Sequence, residues 1–288
     1  MIQVKKDYDN PPAGLNSKGC QNQLKKALIE KDKHSFSSHC YRDATYDVLK
    51  TDIYHRKCGY CETDTTAGAA LQVDHYRPKK QIQEDQTHSG YYWLGYEWSN
   101  LILVCSTCNR KKSNPFPLEY SGKRVTQPPL DNHGELDKNA SRADSPALLA
   151  EKPLLLNPEI DKPELHLVFL PNGEIRSRTE HGKKTKDICD LNREDLVIAR
   201  KTIVDNFLAE IREDLNDFKN QRIDKKTLQH SLKKIMTRIF KSLSPTQPYS
   251  RLGWFMFHKF EVFFIKPLES KQQQVLKKAF QLFKEGKL

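Results

Sequence analysis

The sequence lacks an apolar stretch of the roughly 20 residues that a membrane-spanning helix requires. Residues 1–7 also lack the apolar segment of a secretory signal peptide. No internal repeat is visible along the chain. These absences argue against a membrane-spanning protein and against a repeat protein, and they predict a cytoplasmic location.

Acidic residues are too few to balance the basic ones, and the net charge is +11. The imbalance is uneven: residues 1–57 carry +4, residues 58–118 carry 0, residues 119–200 carry −2 and residues 201–288 carry +9. A basic surface that grips a polyanion is therefore predicted in the last segment. The alternative is that its lysines form a solvated helical face.

The composition is that of a globular chain, because 37% of its residues are hydrophobic and 30% are charged. A length of 288 residues predicts either one compact body with a helical extension or two closely packed domains.

Four of the seven cysteines form two C-x-x-C pairs, Cys58 with Cys61 and Cys105 with Cys108. Because the count is odd and no export signal is present, these pairs are predicted to bind a metal rather than form disulfides. Four thiolates complete a tetrahedral shell around Zn²⁺, so the zinc is predicted to be structural. The other three cysteines are interpreted as ordinary thiols: Cys20, Cys40 and Cys189.

Short strands are predicted between the cysteine pairs, over residues 70–75 and 100–104, and a helix is predicted after Cys108. The intervening residues 80–99 are rich in tyrosine and tryptophan, which favours a local core over a base-stacking platform. The predicted order is strand, strand, helix.

Asp74 and His75 stand at the end of the first predicted strand, and Asn109 follows the second cysteine pair. Phosphodiester hydrolysis needs a base for water and a cation for the charge on phosphate. His75 suits the first task, while the oxygens of Asp74 and Asn109 suit Mg²⁺ or Mn²⁺. Two metal sites with different tasks are therefore predicted.

The order C-x-x-C, Asp-His-x-x-Pro-Lys, Asn-Leu, C-x-x-C-Asn-x-x-Lys resembles the HNH endonuclease family, whose unit is a ββα-metal fold. The resemblance implies that His75 is the general base and that Asp74 binds the divalent cation. It also implies that Asn100 braces the loop and that Asn109 fills the third motif position. Contacts to phosphate are predicted for Arg77, Lys79 and Lys112, the last of which matches the family's lysine.

One branch of that family is more similar still: the HNH components of Septu and retron-type antiphage systems. The similarity lies in Tyr76-Arg77-Pro78-Lys79, in residues 92–100, in Leu154 to Pro158 and in Asp190 to Arg193. Such nucleases work with an ATPase of the ABC or SMC-like type, so the resemblance implies an ATPase partner. Many relatives in this branch carry Glu where Asp74 stands.

The predicted fold class is α+β: a ββα-metal HNH core with a structural zinc site, embedded in a mainly α-helical chain with a helical C-terminal region. Four segments are predicted: a helical lead-in over 1–57, the nuclease core with its zinc over 58–118, an irregular connection with a β-hairpin over 119–190, and a basic helical region over 191–288. The last region is assigned helices over 192–218, 224–243 and 270–284. The aromatic residues 254–265 form either a helix or a strand, and their length and the helices around them favour a helix.

The predicted function is metal-dependent hydrolysis of DNA in bacterial antiphage defence, together with an ATPase. Two alternatives stay open: an RNA-cleaving HNH nuclease, and a non-catalytic zinc-ribbon module that binds nucleic acid. Because nothing in the chain resembles a recognition helix, low sequence specificity is expected. The C-terminal helices could bind either nucleic acid or the ATPase.

Overall fold

A computed structural model describes all residues, 1–288. The regular elements in chain order are α1 (Lys18–Glu30), α2 (Tyr46–Val48), β1 (Gln72–His75), β2 (Leu101–Val104), α3 (Ser106–Lys112), α4 (Pro146–Ala150), α5 (Pro163–His166), β3 (Leu167–Phe169), β4 (Ile175–Ser177), α6 (Glu180–Ile188), α7 (Glu194–Lys219), α8 (Lys225–Lys241), α9 (Ser250–His258) and α10 (Ser270–Lys284). None of these helices combines the length and the apolar character needed to cross a membrane.

The chain divides into two compact units. The first consists of Met1–His166 and Ser177–Leu191, and the second of Leu167–Arg176 and Asn192–Leu288. The first unit contains the two cysteine pairs and the small sheet between them, and the second contains the four helices α7 to α10. The division into four segments drawn from the sequence stays a prediction.

The sheet of the first unit is an antiparallel pair in which His75 of β1 lies opposite Leu101 of β2. All four residues of β2 are completely buried, which is typical of a short apolar strand covered on both faces. The helix α3 follows β2 directly and contacts β1. The predicted ββα fold within an α+β chain is therefore confirmed, although α3 begins at Ser106, before Cys108 rather than after it.

The N-terminal part is helical, as predicted for residues 1–57, but it differs from expectation in two ways. Residues 39–53 form two π-helical turns around α2. In addition, Cys20 and Cys40 form a disulfide, so the interpretation of these two residues as ordinary thiols was wrong. The two cysteines come from segments 20 residues apart that meet in one apolar cluster with Tyr96, a proximity that no local pattern reveals.

The aromatic insertion is a local core, as predicted. Its tyrosines and tryptophans are all buried: Tyr91, Tyr92, Trp93, Tyr96 and Trp98. Ring contacts join Trp93 to Tyr91 and Tyr92 and join Tyr91 to Phe116, with centroids 5.5 Å apart for Tyr91 and Trp93 and 5.7 Å apart for Tyr91 and Phe116. This core lies between β1 and β2 in sequence and supports the loop that follows His75.

The second unit combines the end of the predicted hairpin with the basic helices. Gly173 allows the turn between β3 and β4 because its φ is +85°. The amide of Asn192 bonds the backbone N and O of Ile175, at 2.8 and 2.9 Å, instead of capping α7. By contrast, Asp224 caps α8 by accepting from Thr227 N at 2.7 Å, and α10 has the predicted bounds.

Candidate nuclease site and zinc cluster

The four cysteines of the two pairs meet in one buried cluster. Their Sγ atoms all lie within 4.8 Å of one another, and Cys61 Sγ is 3.8 Å from Cys105 Sγ. Sulfur atoms of a tetrahedral site with Zn–S distances of about 2.3 Å are about 3.8 Å apart. The donor set and its spacing therefore fit a zinc ion.

The first cysteine pair is held against the sheet by its backbone. Gly59 N donates to Leu103 O at 2.8 Å. A Cβ atom at Gly59 would lie 2.7 Å from the Tyr54 ring and 3.1 Å from Leu103 O, so only glycine permits this approach. The second pair is anchored differently, because Cys105 accepts from Cys108 N at 3.4 Å as the N-cap of α3. The first cysteine pair is thus positioned by β2 and the second by α3.

Asp74, His75 and Asn109 line a separate pocket at the other end of β1, with a volume of about 290 Å³. The carboxylate of Asp74 is 9% exposed, and its Oδ2 accepts no aligned hydrogen bond. The nearest cationic atom is Lys112 Nζ, 3.1 Å from that oxygen. A buried carboxylate oxygen without a hydrogen bond, beside the amide of Asn109, is a donor set that fits a divalent cation.

The imidazole of His75 is held in one tautomer. Its Nε2 donates to Gly95 O at 2.9 Å, so the lone pair lies on Nδ1, where Lys79 Nζ donates at 3.1 Å. The ring of Tyr41 contacts the imidazole with centroids 4.8 Å apart. Burial, followed by the charge of Lys79, holds the pKa of His75 well below its ordinary value. The imidazole is therefore neutral at pH 7.

Two of the residues predicted to contact phosphate are buried. Lys112 is completely buried and donates from Nζ to His75 O at 2.7 Å. Arg77 is 1% exposed and pairs with Glu151, with 2.8 Å between Nε and Oε2. Because these two side chains are buried, a role in holding the end of β1 in place is favoured over contact with a substrate. Lys79, in contrast, lines the pocket that contains Asp74.

Asn100 connects the two sides of the loop after His75. Its Oδ1 accepts from Arg77 N at 2.8 Å, while its Nδ2 donates to Arg77 O and to Leu94 O, both at 3.1 Å. Asn109 lies on α3 and donates from Nδ2 to Gln72 Oε1 at 2.7 Å, an arrangement that leaves its carbonyl oxygen for another partner.

Comparison with known proteins agrees with this geometry. The family model for HNH endonuclease matches residues 58–115. The Septu protein PtuB of Bacillus mycoides (strain KBAB4) is 30% identical over 217 residues, which cover 70% of this chain and 67% of that protein. The chain belongs to the PtuB family of HNH endonucleases. It is therefore an enzyme that acts on nucleic acid.

A second relative of this PtuB-family chain is the Septu protein PtuA of the same strain, which is 30% identical over 158 residues. That similarity covers 54% of this chain but only 20% of the PtuA protein. No solved structure matches the chain.

The residues matched by the family model include all four clustered cysteines and the residues that line the pocket at Asp74. Two residues that contact His75 or Arg77 lie outside the matched range. Tyr41, which contacts the imidazole, comes from the N-terminal part, and Glu151, which pairs with Arg77, lies 74 residues beyond its partner. Sequence reasoning missed both residues. Neither carries a spacing signal, since each meets its partner only through the folding of distant segments.

Proposed function

We propose that this PtuB-family nuclease hydrolyses phosphodiester bonds of DNA with His75 as the general base and with Asp74 and Asn109 as ligands of Mg²⁺ or Mn²⁺. The observation that carries the proposal is the fixed tautomer of His75. Because Nε2 donates to Gly95 O at 2.9 Å, Nδ1 is the basic atom. His75 lines the same pocket as Asp74 and Asn109. A neutral imidazole can take a proton from water at Nδ1 once Lys79 has moved away from that atom.

A divalent cation held by Asp74 and Asn109 would neutralise charge on the phosphate and on the leaving oxygen. The protein's own part is to hold the Asp74 carboxylate in place. Lys112 supports this task, since its Nζ lies 3.1 Å from Asp74 Oδ2 and 2.7 Å from His75 O. We assign Lys112 and Asn100 to positioning, Lys112 through β1 and Asn100 through the loop.

Lys79 stands where the attacking water has to lie, 3.1 Å from His75 Nδ1. Burial lowers the pKa of Lys79 to about 8. The charged ammonium form of this side chain is therefore less stable in this environment than in water. We propose that an arriving phosphate draws the ammonium away from the imidazole and that water takes its place. Lys79 would then contact the phosphate, as the sequence predicted.

The proposed biological setting is antiphage defence in company with an ATPase. It is supported by the similarity to Septu protein PtuB and by the shared segment with Septu protein PtuA. The choice of DNA rests on the HNH resemblance. The basic second unit supplies the positive charge that the neutral core lacks, since residues 201–288 carry +9.

The test is cleavage by the full chain, alone and with its ATPase, on DNA and RNA of matched sequence. His75→Ala should lose at least about 100-fold of the activity, because general-base catalysis is typically worth about 10²–10⁴-fold. Lys80→Ala, a change at an exposed neighbour in the same pocket, is the control. Activity of His75→Ala within threefold of the unchanged protein would show that His75 is not the general base. Cleavage of RNA alone would show that RNA, and not DNA, is the substrate.

A further inference from the structure

A groove with a volume of about 860 Å³ opens on the second unit, between α10 and the residues around the end of α9. One wall is a single face of α10, because five of its residues recur at intervals of three or four positions: Gln274, Lys277, Lys278, Gln281 and Lys284. The opposite wall includes a π-helical turn over Glu261–Ile265. Turns of this kind are rare and often occur at functional sites.

The lining between the two walls is apolar. Phe260 and Phe280 stack there, with ring centroids 3.9 Å apart. Val262 is 42% exposed although it is aliphatic, and Leu282 is only half-buried. Apolar surface that stays accessible between polar residues is typical of a site where another molecule binds.

The rim of the groove is basic. Glu261 is the single acidic residue of the lining, against four exposed lysines: Lys259, Lys277, Lys278 and Lys284. None of these lysines forms an ion pair, since the acidic residues at the two ends of α10, Glu269 and Glu285, pair with Lys219 and Lys287. Carboxylates of a bound molecule would therefore meet unpaired positive charge beside the apolar lining.

Nucleic acid is a poorer match for this groove than a protein segment. Phe260 is 1% exposed, and Phe280 has Phe260 on one side and Lys284 Nζ 5.3 Å from its ring centre, so neither ring has a free face for a base to stack on. A second copy of the chain is also disfavoured, because residues 201–288 carry +9 and two such regions would repel each other.

We propose that this groove binds a helical segment of another protein that is aliphatic on one side and acidic along its edges. The wall from Gln274 to Lys284 extends over about 15 Å at a rise of about 1.5 Å per residue, which accommodates about three turns of an amphipathic helix. The aliphatic side chains would cover Val262, and the carboxylates would pair with the lysines of the rim. The inference rests on the proposed function in one respect, since the proposed ATPase is the protein that should carry the segment.

The test is photo-crosslinking in the full, zinc-loaded chain, with p-benzoylphenylalanine in place of Val262, mixed with the ATPase and with duplex DNA. We expect a crosslink to the ATPase, and mass spectrometry of the crosslinked peptide should show aliphatic residues at helical spacing beside acidic ones. The same replacement at Ile198, a residue of α7 that is 55% exposed and outside the groove, is the control and should give no crosslink.

Charge reversal separates this groove from the general positive charge of the chain. Lys277→Glu combined with Lys278→Glu should weaken binding of the ATPase at least about tenfold, because like charges would then face each other. Lys31→Glu combined with Lys33→Glu makes the same change in net charge at two exposed lysines of the first unit, outside the groove and outside the pocket at Asp74. That control should keep the affinity within about threefold, because exposed charges away from an interface contribute little.

Four outcomes would overturn the proposal: a crosslink from Val262 to DNA or to a second copy, a crosslink to a segment without acidic residues, no crosslink at all, or equal losses of affinity in the two double variants. None of them depends on catalysis. A chain that crosslinks to the ATPase as expected but cleaves neither polymer would disprove the proposed function alone. A chain that cleaves DNA but gives no crosslink would disprove the role of the groove alone.

Discussion

The zinc cluster and the pocket at Asp74 lie within one ββα unit, and they differ in what they leave unsatisfied. In the cluster, four buried thiol groups face one another within 4.8 Å. In the pocket, Asp74 Oδ2 accepts no hydrogen bond, and the lone pair of His75 Nδ1 is covered only by the side chain of Lys79. The four cysteines complete the ligand shell of a metal ion, which suits a role in stabilising the fold. The carboxylate of Asp74 and the imidazole of His75, in contrast, are groups that can take part in a reaction. The type of side chain thus distinguishes the structural site from the reactive one.

The largest change should come from opening the zinc cluster. Cys58→Ser removes one of four ligands, and structural zinc contributes an apparent free energy of about 10–16 kcal/mol in small zinc domains. We expect loss of bound zinc, of cooperative unfolding of the first unit and of nuclease activity, measured by metal analysis, calorimetry and DNA cleavage. Cys189→Ala, at a buried cysteine outside the cluster, should retain the zinc. A full complement of zinc in Cys58→Ser would contradict the tetrathiolate assignment.

The second largest change should affect the pocket without affecting the cluster. Asp74→Asn keeps the shape of the side chain but removes the negative charge near Lys112, 3.1 Å away. We expect cleavage to fall about 100-fold or more, as for loss of a group that stabilises charge in the transition state, while the zinc content stays the same. The melting temperature should fall, because the buried Lys112 loses its counter-charge. If activity and zinc were lost together, the two sites would not be independent.

A smaller effect should appear in the dependence of stability on pH. Burial lowers the pKa of Lys79 from 10.5 to about 8. Between these values the unfolded chain binds more protons, so the folded state gains stability as the pH rises, and the penalty is fully present below pH 8. The free energy of unfolding, relative to Lys79→Met, should therefore rise by about 1–3 kcal/mol over this interval.

Denaturant unfolding of the two proteins at several pH values measures this difference, without added Mg²⁺. Lys80→Met provides the control, because Lys80 is the exposed neighbour of Lys79. A constant difference between the unchanged protein and Lys79→Met across the interval would show that the ammonium is not confined beside His75.

The smallest effect should come from the basic helix α8, far from either site in sequence. All five of its lysines are exposed, and four of them lie in two adjacent pairs: Lys225, Lys226, Lys233 and Lys234. If these lysines contact phosphates, their replacement by glutamine should lower the slope of log affinity against log salt by up to about 0.9 for each contact. The same replacement at Lys271, Lys277 and Lys278 of α10 provides a comparison. An unchanged slope would favour the ATPase as the partner of α8.

The sequence was sufficient for the parts that depend on local pattern. The two C-x-x-C pairs identified the four-cysteine cluster, and the alternation before His75 together with the apolar run after Asn100 identified β1 and β2. Hydrophobic spacing located α7, α8 and α10, but the single helix predicted over residues 254–265 is divided between the end of α9 and a π-helical turn over Glu261–Ile265. These features succeed because strand alternation, helical spacing and paired ligands are all properties of neighbouring residues.

The environment of His75 could not be predicted in the same way. Tyr41 reaches the imidazole from a segment with π-helical turns, which no common periodicity indicates. The disulfide between Cys20 and Cys40 depends on a close approach of two helical segments. Arg77 looked like a phosphate ligand beside the motif, but burial with Glu151 from 74 residues away gives it a structural partner. Long-range contacts of this kind follow from tertiary packing alone.

The pair between Arg77 and Glu151 also makes the loop after His75 depend on a part of the chain that is synthesised later. A ribosome releases the N-terminal part first, and domains generally fold as their chain emerges. Until Glu151 has emerged, the guanidinium that anchors the loop after His75 has no carboxylate to bury against. Tyr76 then needs Leu155, four residues later, for its hydroxyl bond. A growing chain that already carries both cysteine pairs and His75 therefore still lacks the two contacts that fix the loop after His75.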